Sequence, residues 1–180
     1  MKAPMLAALM ITVLAPIAPA QKSDVADIAV ADIAVGYSDV EVIKGFTFRM
    51  KGGSSSVALN VNNWLGVVGD VGVYHAPPEV GLNATTYTFG PRFSYRRLGR
   101  LVPFMQVLAG GQHSSALTTG FTNAHNGAAF ATGGGADIEL DSGGRFALRP
   151  QVEYLGFRAK GSTTTTARLT LSLVFRIGRK

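Results

Sequence analysis

The chain has 180 residues, is 47% hydrophobic, contains 22 glycines and no cysteine, and carries a formal net charge of +6. Without cysteine there is no disulfide scaffold, no thiolate metal site and no cysteine nucleophile. The arginines are spread over alternate strand positions and short turns rather than gathered on one face, so no nucleic-acid partner is expected.

The N-terminus opens with Lys2, continues through an apolar run from Met5 to Leu14, and ends in Ala18-Pro19-Ala20. A basic start, a short apolar stretch and a small-residue site form an export signal, with cleavage expected after Ala20. Pro16 and Pro19 interrupt the run, which is shorter than the roughly 20 residues of a spanning helix. Residues 1–20 are therefore expected to be a signal peptide. Residues 21–30 are read as a flexible mature N-terminus, and 31–178 as one β-domain. No later stretch is apolar for long enough to predict a transmembrane helix.

A-D-I-A-V occurs twice, at 26–30 and 31–35. Five is an odd period, so the two copies put opposite parities on a given face and only one can pair in a fixed register. The second copy is favoured, because Ile33, Val35 and Tyr37 continue its alternation. Ser38 to Ser54 then reads as a long connection. A second strand follows from about Ser55 to Asn62, and Asn62-Asn63 marks a tight turn. The third strand, from Trp64 to Tyr74, alternates Leu65, Val67, Val71 and Val73 with Val68, Asp70, Gly72 and Tyr74. His75 to Ala84 is a second long connection.

The fourth strand sets Tyr87, Phe89, Pro91, Phe93 and Tyr95 against Thr88, Gly90, Arg92, Ser94 and Arg96. Pro91 is discordant there, since proline cannot donate to a ladder. After Arg97-Leu98-Gly99-Arg100, the fifth strand runs from Leu101 to about Gly111. Gln112 to Asn126 reads as a third long, polar connection. The sixth strand spans about 128–140, Asp141 to Gly144 is a short turn, and the seventh runs from Phe146 to about Phe157. The eighth is Ala167 to Ile177, with Leu169, Leu171, Leu173, Phe175 and Ile177 opposing Arg168, Thr170, Ser172, Val174 and Arg176. Its length matches the roughly 9–11 residues that a tilted strand needs to cross a bilayer.

Eight alternating segments with long and short connections predict an all-β fold: an eight-stranded antiparallel up-and-down transmembrane β-barrel. A soluble lipocalin-like barrel would have the apolar face inside. The polar parity argues against that. It carries Asp70, Arg92, Arg96, Asp137, Glu139, Arg149, Glu153, Arg168 and Arg176 among very small residues and almost no lysine, as a narrow lumen of neutralised charges would. Tyr37, Trp64, Tyr87, Tyr95, Phe146, Tyr154 and Phe175 lie near strand ends, where interfacial aromatics are expected.

Four blocks resemble the small bacterial outer-membrane barrels of the OmpA-type transmembrane domain, which include porin-like proteins. They are A-V-G-Y-S at 34–38, N-V-N-N-W-L-G-V-V at 60–68, F-G-P-R-F-S-Y-R at 89–96 and L-S-L-V-F-R-I-G at 171–178. The resemblance covers about 33–178. It implies an outer-membrane location, a partner role for outer-membrane lipid and lipopolysaccharide, insertion by the barrel-assembly machinery, and a monomer. The chain departs from the family in two ways. It runs on through Gly178-Arg179-Lys180 in place of a terminal aromatic, leaving Phe175 and Ile177 to serve as the insertion signal. It also has no room for a peptidoglycan-binding domain.

Side chains fill the lumen of an eight-stranded barrel, so the charged set reads first as a structural network and second as a narrow path for ions or small solutes. His75, His113 and His125 fall in the connections without the carboxylates or thiolates of a metal site, so no metal and no cofactor are expected. His113-Ser114-Ser115 invites comparison with lipid A-modifying barrel enzymes, but no acid is placed to orient the histidine, and no catalytic residue is assigned. Gly133-Gly134-Gly135 lacks the lysine and helix of a phosphate loop and reads as strand glycine. The expected role is structural or surface-interacting.

Overall fold

The computed structural model of the chain describes residues 29–44, 46–118, 121–159 and 162–178. The expected signal peptide, residues 1–20, lies outside the described residues. So does all but the end of the expected N-terminal leader.

The strands are β1 (Ala31–Lys44), β2 (Phe46–Asn60), β3 (Leu65–His75), β4 (Leu82–Ser94), β5 (Leu101–Thr118), β6 (Phe121–Glu139), β7 (Phe146–Ala159) and β8 (Ser162–Ile177). They pair in sequence order, all antiparallel, and β8 pairs back onto β1 to close a barrel. The second A-D-I-A-V copy makes the closure: Ile33 faces Phe175, Val35 faces Leu173 and Tyr37 faces Leu171.

Cross-strand partners carry Ala31 through Leu59, Val67, Pro91, Val107, Thr132, Tyr154 and Ala167 to Glu41, ten residues further along β1. The step past Pro91 follows the unchanged register of Phe89↔Ala109 and Arg92↔Gln106 on either side of it. This stagger of ten over eight strands sets a steep tilt, of the order of the 35–45° typical of membrane barrels. Pro91 and Pro150 each sit where one of their two ladders is interrupted, β4–β5 and β6–β7 respectively. A residue without an N–H costs least there.

The short turns are built by side chains. Asn62 Oδ1 accepts the backbone N–H of Trp64 at 3.0 Å and of Leu65 at 2.8 Å, closing the β2–β3 turn. In the β6–β7 turn Asp141 accepts the N–H of Phe146 at 2.7 Å and of Arg145 at 3.2 Å. Gly144 sits beside it at φ 62°, a left-handed conformation that suits glycine.

The face that looks outward is settled by exposure: Leu169 is 62% exposed, Leu171 53% and Leu173 53%, while Arg168 is 1% exposed. Val67, Val71, Tyr87, Phe89, Met105, Val107, Val152 and Tyr154 are exposed likewise. So large a continuous apolar exterior is incompatible with water and suits hydrocarbon. The lipocalin-like arrangement is therefore excluded.

Two of the three long connections expected from the sequence are corrected. Residues 38–54 are mostly the upper parts of β1 and β2, and 112–126 are mostly those of β5 and β6. Of the three, only the connection between β3 and β4 remains a loop, cut to the six residues 76–81, the same length as the connections at 95–100 and 140–145. The reason is an inversion of sidedness. Past Tyr37, outward positions become Asp39 and Glu41 while inward ones are Val40 and Val42. On β2, Arg49 and Lys51 face out while Phe48 and Met50 face in. This part of the barrel follows the rule of a soluble protein, apolar inside and charged outside.

Outward glycines are covered by aromatic rings. Gly111 pairs with Tyr87 and Gly156 with Phe130, and each ring lies where a side chain on the glycine would be. The aromatic thus restores the packing that the glycine lacks.

Candidate functional site in the barrel lumen

Every strand contributes its inward parity to the lumen, which is filled in three levels. The first lies at the end that holds the short turns and both ends of the barrel chain. Asp137 on β6 is its centre: Arg149 on β7 donates Nε to Oδ1 at 2.5 Å and Nη2 to Oδ2 at 2.9 Å. Arg176 on β8 donates Nη2 to the same carboxylate at 3.2 Å and Nη1 to Glu139 Oε1 at 2.6 Å. Asp32 lies between these two arginines, 3.9 Å from Arg149 and 3.8 Å from Arg176. Arg96, just past β4, donates Nη2 to Asn60 Oδ1 at 2.9 Å, and Asn60 donates Nδ2 to the carbonyl of Ala29 at 2.9 Å.

The second level centres on Arg168 of β8. It ion-pairs with Glu153 of β7, donates Nη1 to Asp70 Oδ1 of β3 at 2.9 Å, and donates to the Tyr74 hydroxyl at 2.7 Å. Gln106 on β5 joins the two levels. It accepts Arg92 Nε at 2.8 Å and donates to Glu153 Oε1 at 2.7 Å. Across the lumen, Ser38 hydrogen-bonds Ser54 at 3.0 Å and Thr170 at 2.8 Å.

Together the two levels hold Arg92, Arg96, Arg149, Arg168 and Arg176 against Asp32, Asp70, Asp137, Glu139 and Glu153. The cations and carboxylates are equal in number. Burial penalises an isolated charge by several kcal/mol or more, so equality is the condition for filling a lumen with ions at all.

The third level is apolar. Val40, Met50, Tyr74, Ala84, Leu108, Ala131 and Leu155 are buried together, with Val42, Phe48, Ala76, Leu82 and Phe157 packed on them. It caps the second level toward the end where β1–β2 and β5–β6 extend.

The structure brings all nine sequence-predicted charged positions to the lumen side. Sequence reasoning left Asp32, Gln106, Tyr74, Asn60 and Phe104 out of the set. Their signal was parity, since each shares the inward face of its strand with a residue that was included or with a buried neighbour. The seven aromatics are all outward and exposed. Trp64 stacks on Phe93 with ring centroids 6.0 Å apart, and Phe146 meets Phe175 at 5.3 Å. From Phe146 to Tyr154 on β7, eight residues of tilted strand rise about 20 Å, close to the apolar band of such barrels.

The histidines lie on the upper rim. His113 shares a 2.7 Å hydrogen bond with Asn126, and Ser114 donates to the carbonyl of His125 at 3.5 Å. Adjacent residues of a strand point to opposite faces, so His113 and Ser114 cannot form a nucleophile–base pair. Among the described residues no three His, Cys, Asp or Glu side chains are grouped to hold a metal ion.

No protein-family model and no curated protein matches the sequence. Solved structures do match. The chain resembles Neisserial surface protein A at 10% identity, covering 83% of this chain and 97% of that one, with a TM-score of 0.68. It resembles the N-terminal β-barrel domain of Pseudomonas aeruginosa OprF at 14% identity, covering 82% and 98%, with a TM-score of 0.57. It resembles Ail, the attachment invasion locus protein of Yersinia pestis, at 17% identity, covering 81% and 97%, with a TM-score of 0.55. The chain thus has the fold of the small eight-stranded bacterial outer-membrane barrels.

Proposed function

We propose that the chain is a monomeric integral barrel of the bacterial outer membrane, with a structural or surface-interacting role. On this reading residues 1–20 export it, the barrel-assembly machinery inserts it, and lipid and lipopolysaccharide surround it. Tyr37, Trp64, Tyr87, Tyr95, Phe146, Tyr154 and Phe175 would anchor it at the two interfaces, as amphipathic rings do.

The observation that carries the reading is the filling of the lumen. Two hydrogen-bonded ionic levels lie under an apolar one. An ion crossing Val40, Leu108 and Leu155 would have to shed its hydration with little more than hydroxyls such as that of Thr166, the cross-strand neighbour of Leu155, to replace it. The lumen is therefore read as a polar core that ties strands together, and the outer rim as the working surface. That rim carries Asp39, Glu41, Arg49, Lys51, His75 and Arg158 above the apolar band, at headgroup height.

Conductance across a planar bilayer tests this. Purified, refolded protein is expected to insert without discrete current steps, and reproducible steps would establish the narrow-channel alternative instead. The lipid A-modifying alternative is tested by incubating the protein with lipid A, and no deacylated product is expected. Membrane fractionation and heat-modifiable gel mobility test the location; an all-soluble periplasmic pool would overturn it.

A further inference from the structure

The outward charges are divided unevenly between the two ends of the barrel. Where β1 and β2 extend they offset one another: Asp39 faces Lys51, Glu41 faces Arg49, and Arg49 lies 3.6 Å from Asp39. At the short-turn end Arg97, Arg100 and Arg145 are exposed. Among the described residues no carboxylate lies within ion-pair distance of these three. Glu139 donates its backbone N–H to the Arg100 carbonyl at 2.9 Å, but its carboxylate is held by Arg176 at 2.6 Å. Asp141 accepts the backbone N–H groups of its own turn.

The β4–β5 turn adds a second feature. An apolar groove of about 320 Å³ opens on the outer wall beside it, lined by Trp64, Phe93, Tyr95, Pro103 and Met105. Pro103 makes a low floor: it is shorter than Tyr95 and Met105, and its neighbour on β6, Ala136, is shorter still. Trp64, stacked on Phe93, forms a wall. The turn is apolar at its tip, where Leu98 is 49% exposed and bridged to Leu101, with Arg97 and Arg100 on its two sides. An exposed leucine between two unpaired cations belongs at a membrane boundary, its body among the chains and the charged heads among the phosphates. Arg97 follows Tyr95 by two residues, within about 7 Å along the chain, so the cations begin where the groove ends.

We propose that the groove and the β4–β5 turn together hold one anionic phospholipid. An acyl chain occupies the groove between Trp64, Tyr95 and Met105, and the phosphate is bound by Arg97 and Arg100, whose guanidinium forks match its oxygens. The site rests on the reading of the chain as an outer-membrane barrel. On that reading the short-turn end faces the periplasmic leaflet, which is made of phospholipid and not of lipopolysaccharide.

The chain has a single tryptophan, Trp64, and it lines the groove, so its fluorescence reports the lipid at this site. The whole barrel is reconstituted in phosphatidylcholine vesicles that contain either brominated phosphatidylglycerol or, at the same mole fraction, brominated phosphatidylcholine. Both leaflets carry the same mixture, so the direction of insertion does not matter. Heat-modifiable mobility is read first. A chain that does not insert overturns the membrane reading and this site with it, whereas the quenching of an inserted barrel judges the site alone. Phosphatidylglycerol is expected to quench with about fivefold or greater relative affinity in the wild type, and less so at high salt. R97Q/R100Q is expected to abolish the preference. R145Q, on a turn two strands from β5 and roughly 10 Å away, is expected to keep it. Equal wild-type quenching by the two lipids, a preference that R97Q/R100Q retains, or an equal loss in R145Q would each overturn the proposal. Should R97Q/R100Q not insert, the wild type decides: a preference undiminished by salt would overturn the assignment to the arginines.

Discussion

Arg168 Nη1 reaches Asp70 Oδ1 at 2.9 Å across the lumen, tying β8 to β3 over 98 residues of sequence. The same guanidinium holds Glu153 on β7. Replacing it by a neutral chain, R168M, leaves two buried carboxylates unpaired. The expected loss is about 3–5 kcal/mol, read from urea unfolding in lipid vesicles. R168M/E153Q/D70N, which removes both stranded charges, is expected to recover a large part of that loss.

The upper barrel offers a test of core against loop. Met50 is buried at 4% exposure in a part of β2 that the sequence alone presents as a connection. M50A is expected to cost about 2–5 kcal/mol, as in any packed core. A change near zero would mean that the upper strands do not pack.

The apolar exterior predicts a depth dependence. Leu171 sits mid-band and Ile177 at the short-turn edge, six residues further along β8. L171R is expected to destabilise the membrane-inserted barrel by about 2–4 kcal/mol and I177R by about 1 kcal/mol or less. Equal costs at both sites, measured by reversible unfolding in liposomes, would contradict the assignment of the lipid-facing band.

The pairing of Phe130 with Gly156 is testable from both sides. F130A uncovers the glycine and is expected to cost about 1 kcal/mol, the upper range of a cross-strand pair. G156A would put a methyl where the Phe130 ring lies. It is expected to destabilise the wild type but to be better tolerated in the F130A background, a coupling that a double-mutant cycle measures.

Asp141 supplies a pH signature outside the membrane band. Its backbone hydrogen bonds from Phe146, then Arg145, hold the carboxyl below its ordinary value of 3.8. A depressed carboxylate stabilises the fold above its unfolded pKa, and that contribution is lost as pH falls through the lower folded value. The β6–β7 turn is therefore expected to loosen below pH about 4. D141N is expected to flatten the acid limb of an unfolding-midpoint profile.

How much could be read in advance depended on sidedness. In the membrane band the alternation of Leu169, Leu171 and Leu173 with Arg168, Thr170 and Ser172 is unbroken, and the strands there were legible. Above Tyr37 the same alternation continues with the chemistry of the two faces exchanged. Val40, Val42, Phe48 and Met50 point inward there, under Asp39, Glu41, Arg49 and Lys51. A reading that sought apolar residues on one fixed face took that exchange for loop. The lumen shows a similar division. Parity put Asp70, Asp137, Glu139 and Glu153 on the same side as the arginines, but Asp32 and Gln106 were overlooked on equally good parity.

The sequence by itself determined the number of strands, their parity and the charged and apolar sets, because the period-2 geometry of a strand writes its two faces directly into residue order. The paired charges among very small residues on one parity also told which face looks inward, and the exposure of Leu169, Leu171 and Leu173 bears that out. Only the tertiary structure decided the ten-residue stagger that closes the barrel and the partners of each charge. Those depend on lateral register between strands as far apart as Asp70 and Arg168. No local pattern records register, because it is chosen by all eight ladders closing at once. The same closure leaves Arg92 buried beside Phe104 without a carboxylate, a consequence that no single strand of this chain displays.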